Sequence, residues 1–163
     1  MSDSAVSQSP IARLRELSVP TSGAVLPAGV KPAGVAVTRD GSRVYVANFG
    51  DNTVSVLAAG TGEPIRTPIV YGERPVGVAI SPNGTRCYVA NNGSNTVSVL
   101  DTTVNAVVAQ VPVGAGPVGV VVTSDGRRAC VANGAANTVS LIDTGTSGTR
   151  FPSSPAMAVS RSW

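Results

Sequence analysis

The sequence carries one unit of about 42 residues three times. Each copy opens on a Gly-Val-x-Val/Ile segment, at Gly34, Gly77 and Gly119, which are 43 and 42 residues apart. An Asn-Thr-Val-Ser segment follows later in each copy, at Asn52, Asn95 and Asn137. A fixed period of this length indicates a repeat architecture, in which each unit buries its apolar faces only against a neighbouring unit.

Each unit predicts four short β-strands. Aromatic residues make up only 4% of the chain, so valine must supply most of the core, and β-branched side chains favour strands. Asp-Gly or Asn-Gly after the first strand predicts a tight hairpin with positive φ. Pro68 and Pro112 cannot donate to a ladder, so the fourth strand should be an edge. The predicted strands are 35–38, 44–48, 53–57 and 69–71, then 78–81, 87–91, 96–100 and 107–113, then 120–123, 129–133 and 138–142.

The predicted fold is all-β, with about three four-stranded antiparallel blades in an incomplete propeller arc. Apolar residues occur on both faces of each predicted sheet, so every sheet must be sandwiched between others. Tyr45-Val-Ala-Asn48 and Tyr88-Val-Ala-Asn91, each followed by Asn-Thr-Val-Ser-Val-Leu, resemble the YVTN-type β-propeller repeat family over about residues 24–143. The third copy has Cys130 in place of the tyrosine, and we expect any apolar side chain to fill that place.

The chain divides into three parts. Residues 1–23 are predicted to be irregular or a short helix capped at Ser9, although residues 9–17 also align with a decayed third strand. Residues 24–143 form the arc, with blades at about 34–72, 77–114 and 119–143 and a lone outer strand at 25–29. Residues 144–163 read as a degenerate or truncated tail.

Three blades cannot close around a channel, because closed propellers have typically 4–8 blades. Three explanations remain open, in order of preference: a piece of a longer propeller, a homo-oligomer that completes the ring, and an open arc. In the second, two arcs joined head to tail would give six blades.

The charge pattern argues against a nucleic-acid partner. The net charge is +3, but residues 34–143 contain seven arginines and seven acidic residues, and no basic stripe is present. No apolar run is long enough to span a bilayer. The first thirty residues do not resemble a secretory signal, so we expect a cytoplasmic protein unless a leader has been lost, although proteins with this repeat are often exported or found at the cell surface.

Few residues suit catalysis. The chain has no histidine, which removes most metal sites and imidazole chemistry. Cys87 and Cys130 are one position out of register, so we predict free thiols rather than a disulfide. The recurring asparagines and aspartates are predicted to hold turns.

Residues that differ between the units are the better candidates for function, because the architecture does not explain them. They lie mostly in loops of the first unit, and loops on a rigid scaffold often carry binding. Solvated charge is the competing interpretation for each. The candidates for contacts at a rim are Phe49, Asp51, Arg66, Tyr71 and Arg74, with Glu63 and Glu73 beside them.

Two functions remain open. The first is a non-catalytic binding or scaffold module for an unknown protein or small ligand, which the resemblance implies would act through the rims or the channel. The second is an inactive fragment of a lactonase-like propeller enzyme. Propellers of similar sequence also occur in redox proteins, but without histidine we predict no haem or copper, and we assign no cofactor, metal ligand or catalytic residue.

Overall fold

The computed structural model describes residue 23, residues 25–70 and residues 72–145. This part of the chain contains eleven strands and no helix, so it has none that could span a membrane. The strands are β1 (Pro32–Val37), β2 (Arg43–Asn48), β3 (Thr53–Ala58), β4 (Pro64–Val70), β5 (Pro75–Ile80), β6 (Arg86–Asn91), β7 (Thr96–Asp101), β8 (Ala106–Pro112), β9 (Pro117–Val122), β10 (Arg128–Asn133) and β11 (Thr138–Asp143).

The strands form three antiparallel meanders, which confirms the all-β partial propeller. Blade 1 is β1-β2-β3-β4, blade 2 is β5-β6-β7-β8 and blade 3 is β9-β10-β11. The proline-bearing strands β4 and β8 are edges, as proline requires. The predicted tail lies almost wholly outside the described residues, so the loss of a fourth strand from blade 3 stays a prediction.

The first hairpin of each blade is closed by a hydroxyl and a carboxylate or amide. In blade 1 the Thr38 carbonyl accepts the Gly41 amide, and Asp40 accepts hydrogen bonds from the Thr38 hydroxyl and the Ser42 amide. Asn83 and Asp125 do the same in the other two hairpins. Within each hairpin the predicted positive φ is at the glycine alone, and the preceding Asp or Asn does not take one. These glycines are Gly41, Gly84 and Gly126, with φ of 70°, 74° and 71°.

Each blade packs one face against the next blade along the chain. We call the side of a blade that faces the following blade its trailing face, and the opposite side its leading face. The trailing face of blade 1 (Tyr45, Ala47, Val54, Val56 and Ile69) packs on the leading face of blade 2 (Val78, Ile80, Cys87, Val89, Leu100 and Val107). The trailing face of blade 2 (Tyr88, Ala90, Val97 and Val99) packs in the same way on the leading face of blade 3 (Val120, Val122, Ala129, Val131 and Ile142).

The innermost strands β1, β5 and β9 approach one another through glycine. A Cβ atom added at Gly34 would fall on the carbonyl oxygen of Val76, and one added at Gly77 would lie 2.9 Å from the Cα of Gly119. Both are inside van der Waals contact with backbone. The two repeat glycines therefore set the spacing of the blades nearest the propeller axis.

Residues 25–29 are not paired as a strand within this chain, and the lone outer strand predicted there stays a prediction, because its partner strand would belong to another blade. Residues 25–31 have no ladder partner, and the amides of Gly29 and Val30 instead donate to the side chains of Asn48 and Asp51. A fourth strand needs a third strand beside it, and no described strand precedes β1. The predicted helix at Ser9 lies outside the described residues.

Both cysteines are free thiols, as predicted. Cys87 is fully buried between blades 1 and 2, and burial raises the pKa of its thiol. Cys130 is half-buried and lies on the trailing face of blade 3.

Candidate functional site: the link rim

One rim of the arc carries most of the candidate residues. It is formed by the turns between the second and third strands and by the segments that lead into each blade. We call it the link rim: residues 29–31, 49–52, 72–74, 92–95, 113–116 and 134–137. The opposite rim carries the hairpins at 38–42, 81–85 and 123–127.

Buried asparagines anchor this rim from below. Asn48 is fully buried, and its Nδ2 donates to the hydroxyls of Thr53 at 2.9 Å and Ser55 at 2.8 Å. Asn91 and Asn133 bind the matching threonine and serine of their own blades. The acceptors of these Nδ2 atoms are side chains of the following strand. The Nδ2 atoms of these amides thus hold the turn. The Oδ1 of Asn48 accepts the Gly29 amide, whereas the buried Oδ1 atoms of Asn91 and Asn133 have no hydrogen-bond partner among the described residues.

In blades 1 and 2 the second asparagine of the turn links the blade to the next one. Asn52 and Asn95 adopt φ of 60° and 55°, and the Oδ1 of each accepts a backbone amide of the following blade. The donors are Arg74 and Gly116, both at 2.8 Å. The arc is therefore held together at this rim by backbone-to-amide bonds as well as by its apolar faces.

Phe49 and Arg74 meet on the link rim. The guanidinium carbon of Arg74 lies 6.0 Å from the centroid of the Phe49 ring, at the outer limit of a cation–π contact. Arg74 is exposed and has φ of 52°, whereas Phe49 is half-buried. The bond from the Arg74 amide to Asn52 brings the two segments together.

Asp51 lies in the same turn as Phe49, but both of its carboxylate oxygens already accept hydrogen bonds. Its Oδ2 accepts the Val30 amide at 2.9 Å and its Oδ1 accepts the Thr53 hydroxyl at 2.6 Å. Desolvation pushes the pKa of Asp51 upward, but these hydrogen bonds outweigh it and hold the pKa below its ordinary value. Asp51 is therefore ionised at neutral pH and bound to its own rim.

The remaining candidates lie elsewhere. Arg66 is on β4 and donates to the carbonyl of Val104, in the turn between β7 and β8. Glu63 precedes β4 and is exposed, whereas Glu73 is on the link rim beside Arg74. Tyr71 lies outside the described residues.

The other aspartates also serve their own turns. Hydrogen bonds from Thr38 and Ser42 lower the pKa of Asp40 to about 2, and hydrogen bonds from neighbouring threonines are the first cause of the lowered pKa of Asp101 and Asp125. Asp101 also pairs with Arg86 at 2.6 Å. Asp143 accepts the Gly145 amide. Over residues 25–70 and 72–145, no group of three His, Cys, Asp or Glu side chains could hold a metal ion.

Sequence reasoning missed a contact between blades. The Tyr45 hydroxyl donates to Oδ1 of Asn105 on the next blade at 2.6 Å, so the tyrosine of the repeat is more than an apolar filler. The expectation that Cys130 substitutes without loss overlooked this hydroxyl. The only signal in the sequence was the recurrence of tyrosine at positions 45 and 88.

The opposite rim offers a shallow depression of about 370 Å³ between two hairpins. Thr38, Arg39, Asp40, Pro82, Asn83 and Gly84 line it. Its two acceptor side chains, Asp40 and Asn83, are both occupied by their own hairpins.

Residues 9–106 match the family model described as Lactonase, 7-bladed beta-propeller. The chain belongs to this lactonase propeller family. A comparison with curated proteins gave no significant match.

Solved structures agree with membership of the lactonase propeller family at the level of the fold. Hydrazine synthase of Kuenenia stuttgartiensis is 27% identical, with a TM-score of 0.69 over 78% of this chain and 36% of that chain. A protein of unknown function from Desulfotomaculum acetoxidans is 23% identical, with a TM-score of 0.66 over 76% of this chain and 41% of that one. A putative 6-phosphogluconolactonase from Bacteroides fragilis is 19% identical, with a TM-score of 0.64 over 74% and 36%. The chain thus spans 36–41% of the length of these structures.

Proposed function

We propose that this chain is a non-catalytic binding module that acts through the Phe49–Arg74 pair on its link rim. One observation carries the proposal: every described aspartate is engaged by its own turn, while the Arg74 guanidinium is exposed. A general acid or base working near neutral pH needs a raised carboxyl pKa, and each resolved shift among these aspartates is downward. The rim is therefore better suited to binding than to proton transfer.

The exposed arginine favours an anionic ligand. A planar guanidinium donates in a fork that matches a carboxylate or phosphate, and the Phe49 ring limits the directions it can take. The amide of Arg74 is held by Asn52, which fixes the position of the backbone that carries the side chain. The partner we propose presents a carboxylate or a phosphate group, on a small molecule or on a protein.

Titration calorimetry with a panel of small carboxylates and phosphates, beginning with 6-phosphogluconate, tests the proposal. We expect Arg74→Ala to weaken binding about tenfold or more, because a hydrogen bond to a charged group is worth about 1.5–3 kcal/mol. Arg39→Ala is the matched control, since Arg39 is also exposed but lies on the opposite rim. Binding that is absent throughout the panel, or that falls equally in both variants, would reject the proposal.

The alternative is that the chain is part of a lactone hydrolase, and it is supported by the family match over residues 9–106 and by the name of the Bacteroides fragilis neighbour. Hydrolysis of 6-phosphogluconolactone by the purified chain distinguishes the two. The proposal of a binding module expects a rate equal to that of buffer. Turnover that is lost in Glu73→Gln would favour the hydrolase instead, because Glu73 is the acidic residue beside Arg74.

A further inference from the structure

Two positively charged residues occupy equivalent positions on the link rim. Lys31 and Arg74 each lie three residues before the repeat glycine of their blade, and both are exposed. Neither has a carboxylate oxygen within 4.0 Å in the described part of the chain, although Asp51 and Glu73 lie on the same rim. Both charges therefore remain available to a ligand.

The backbone at these two positions disfavours any side chain. Lys31 and Arg74 have φ of 51° and 52°, in the left-handed region that residues other than glycine rarely adopt. The equivalent residue of blade 3 is Gly116, with φ of 61°. Other residues held in this conformation reduce stability and are concentrated at active sites and ligand clamps. A lysine and an arginine at a position suited to glycine thus indicate a task that the fold does not require.

The turn beside each position decides whether a side chain fits there. In blade 3 a Cβ added at Gly116 would lie 2.7 Å from the Cβ of Ala135, which is inside van der Waals contact. The equivalents of Ala135 in blades 1 and 2 are Gly50 and Gly93, which have no Cβ. Blades 1 and 2 therefore leave space for a side chain at this position, whereas blade 3 does not.

Phe49 connects the two charged residues across the boundary between blades 1 and 2. Its amide donates to the carbonyl of Lys31 at 3.0 Å, and its ring centroid lies 6.0 Å from the guanidinium carbon of Arg74. The ring is half-buried, so part of it is open to solvent. The link rim thus brings two cations and one apolar surface together, from two adjacent blades.

We infer that Lys31 and Arg74 bind two anionic groups of one ligand, with the segment that joins those groups lying against the Phe49 ring. The inference rests on the proposed function and extends it, because a second cation favours ligands with two carboxylate or phosphate groups over ligands with one. The Lys31 ammonium donates as a point charge, whereas the Arg74 guanidinium donates in a planar fork. Phosphorylated sugar acids and dicarboxylic acids belong to this class of ligand.

Titration calorimetry with three related compounds tests the number of anionic groups. 6-Phosphogluconate has a phosphate and a carboxylate, whereas glucose 6-phosphate has only the phosphate and gluconate only the carboxylate. Lys31→Gln should weaken binding of 6-phosphogluconate about tenfold or more, because it removes a charged donor. It should change binding of the other two compounds by less than about twofold, because a single anionic group binds at the Arg74 fork.

Two further variants complete this comparison. Lys31→Arg, which restores a cation, should bind 6-phosphogluconate within about threefold of the wild-type affinity. Arg39→Gln is the matched control, because Arg39 is exposed on the opposite rim, and it should bind all three compounds like wild type.

Lys31→Gly separates a role in binding from a role in folding. Glycine adopts a positive φ without strain, so the melting temperature should stay level or rise while the affinity for 6-phosphogluconate falls as far as in Lys31→Gln. A melting temperature that falls in Lys31→Gly would overturn the inference. So would a Lys31→Gln variant that binds 6-phosphogluconate like wild type, or one that loses affinity for all three compounds equally.

These results also distinguish the inference from the proposed function. If Lys31→Gln has no effect but Arg74→Ala still weakens binding, the inference fails and the proposed function stands. If the wild-type chain binds none of the compounds, both are rejected.

Discussion

Two asparagines in each unit perform different tasks although they are only four residues apart. The first, as in Asn91, is buried and binds hydroxyls of its own blade, whereas the second, as in Asn95, is exposed and binds the backbone of the next blade. Losing the hydrogen-bond partner of a buried amide costs more folding free energy than losing that of an exposed amide, because water cannot replace the bond. The first asparagine should therefore govern the stability of a blade.

Asn91→Ala should lower the free energy of unfolding by about 1–3 kcal/mol, because it leaves the hydroxyl of buried Ser98 without its donor. Ser98→Ala should cost less, and the double variant should cost less than the sum of the two, with a coupling of about 0.5 kcal/mol or more. Urea unfolding of the four proteins completes the cycle. Additive losses would mean that the bond between Asn91 and Ser98 contributes nothing measurable.

At this scale the sequence predicted which residues hold turns but not what they bind. Asp40 and Asn83 contact residues within three positions of themselves, so local turn chemistry identifies them. Asn52 binds Arg74 across 22 residues, and the Tyr45 hydroxyl reaches Asn105 across 60. Contacts of that range depend on how the blades are stacked, which a single unit does not encode.

At the scale of the element, the three first hairpins are nearly identical in geometry but differ in charge. Asp40 and Asp125 accept the same hydrogen bonds as Asn83, yet only the aspartates can lose them by protonation. Hydrogen bonds hold the pKa of Asp40 at about 2 in the folded chain, against an ordinary value of 3.8. A carboxyl whose pKa is lower in the folded than in the unfolded chain stabilises the fold at any pH above the unfolded pKa. That contribution is lost as the pH falls toward the folded pKa.

Asp40→Asn should therefore lower the melting temperature at about pH 5, and the difference from wild type should shrink as the pH approaches about 2. The remaining aspartates are present in both proteins, so their titration cancels in the difference. Asn83→Asp is the reciprocal control and should introduce the same dependence into blade 2. A difference that stays constant from about pH 5 to about pH 2 would contradict the role given to the Asp40 carboxylate.

The strands were predictable because the residues that form their turns and ends act through local backbone chemistry. Gly41 and Pro112 mark a turn and an edge strand by their own backbone chemistry, and both lie where the repeat predicted them. The strand at 25–29 stays a prediction, because alignment to a repeat cannot tell whether the partner strand is present. In this chain the amides of Gly29 and Val30 donate hydrogen bonds to the side chains of Asn48 and Asp51.

At the scale of the molecule, the stacking of blades depends on backbone contact at the innermost strands. Gly34 recurs in every unit, but the sequence does not tell whether such a glycine serves a turn or a close approach. The structure assigns it to close approach, since its φ is not positive and the Val76 carbonyl occupies the place of a Cβ.

Gly34→Ala should destabilise the chain by about 1–3 kcal/mol, the usual cost of forcing an atom into a packed site, because the obstacle is backbone rather than a mobile side chain. Gly60→Ala should change the free energy of unfolding by about 0.5 kcal/mol or less, since its Cβ points to open space. Both values come from urea unfolding at a concentration too low for association. Equal effects in the two variants would show that the close approach at β1 does not limit packing.

Contact between the glycines of the innermost strands and the backbone of the next blade sets the angle between adjacent blades. Changes on the outer strands should therefore have little effect on that angle. Substitutions at the exposed positions of β4 and β8, such as Ile65 and Val108, should alter the outer surface of the arc without altering its curvature. A lineage could therefore diversify its outer surface freely while every descendant kept blades that fit those of its ancestors.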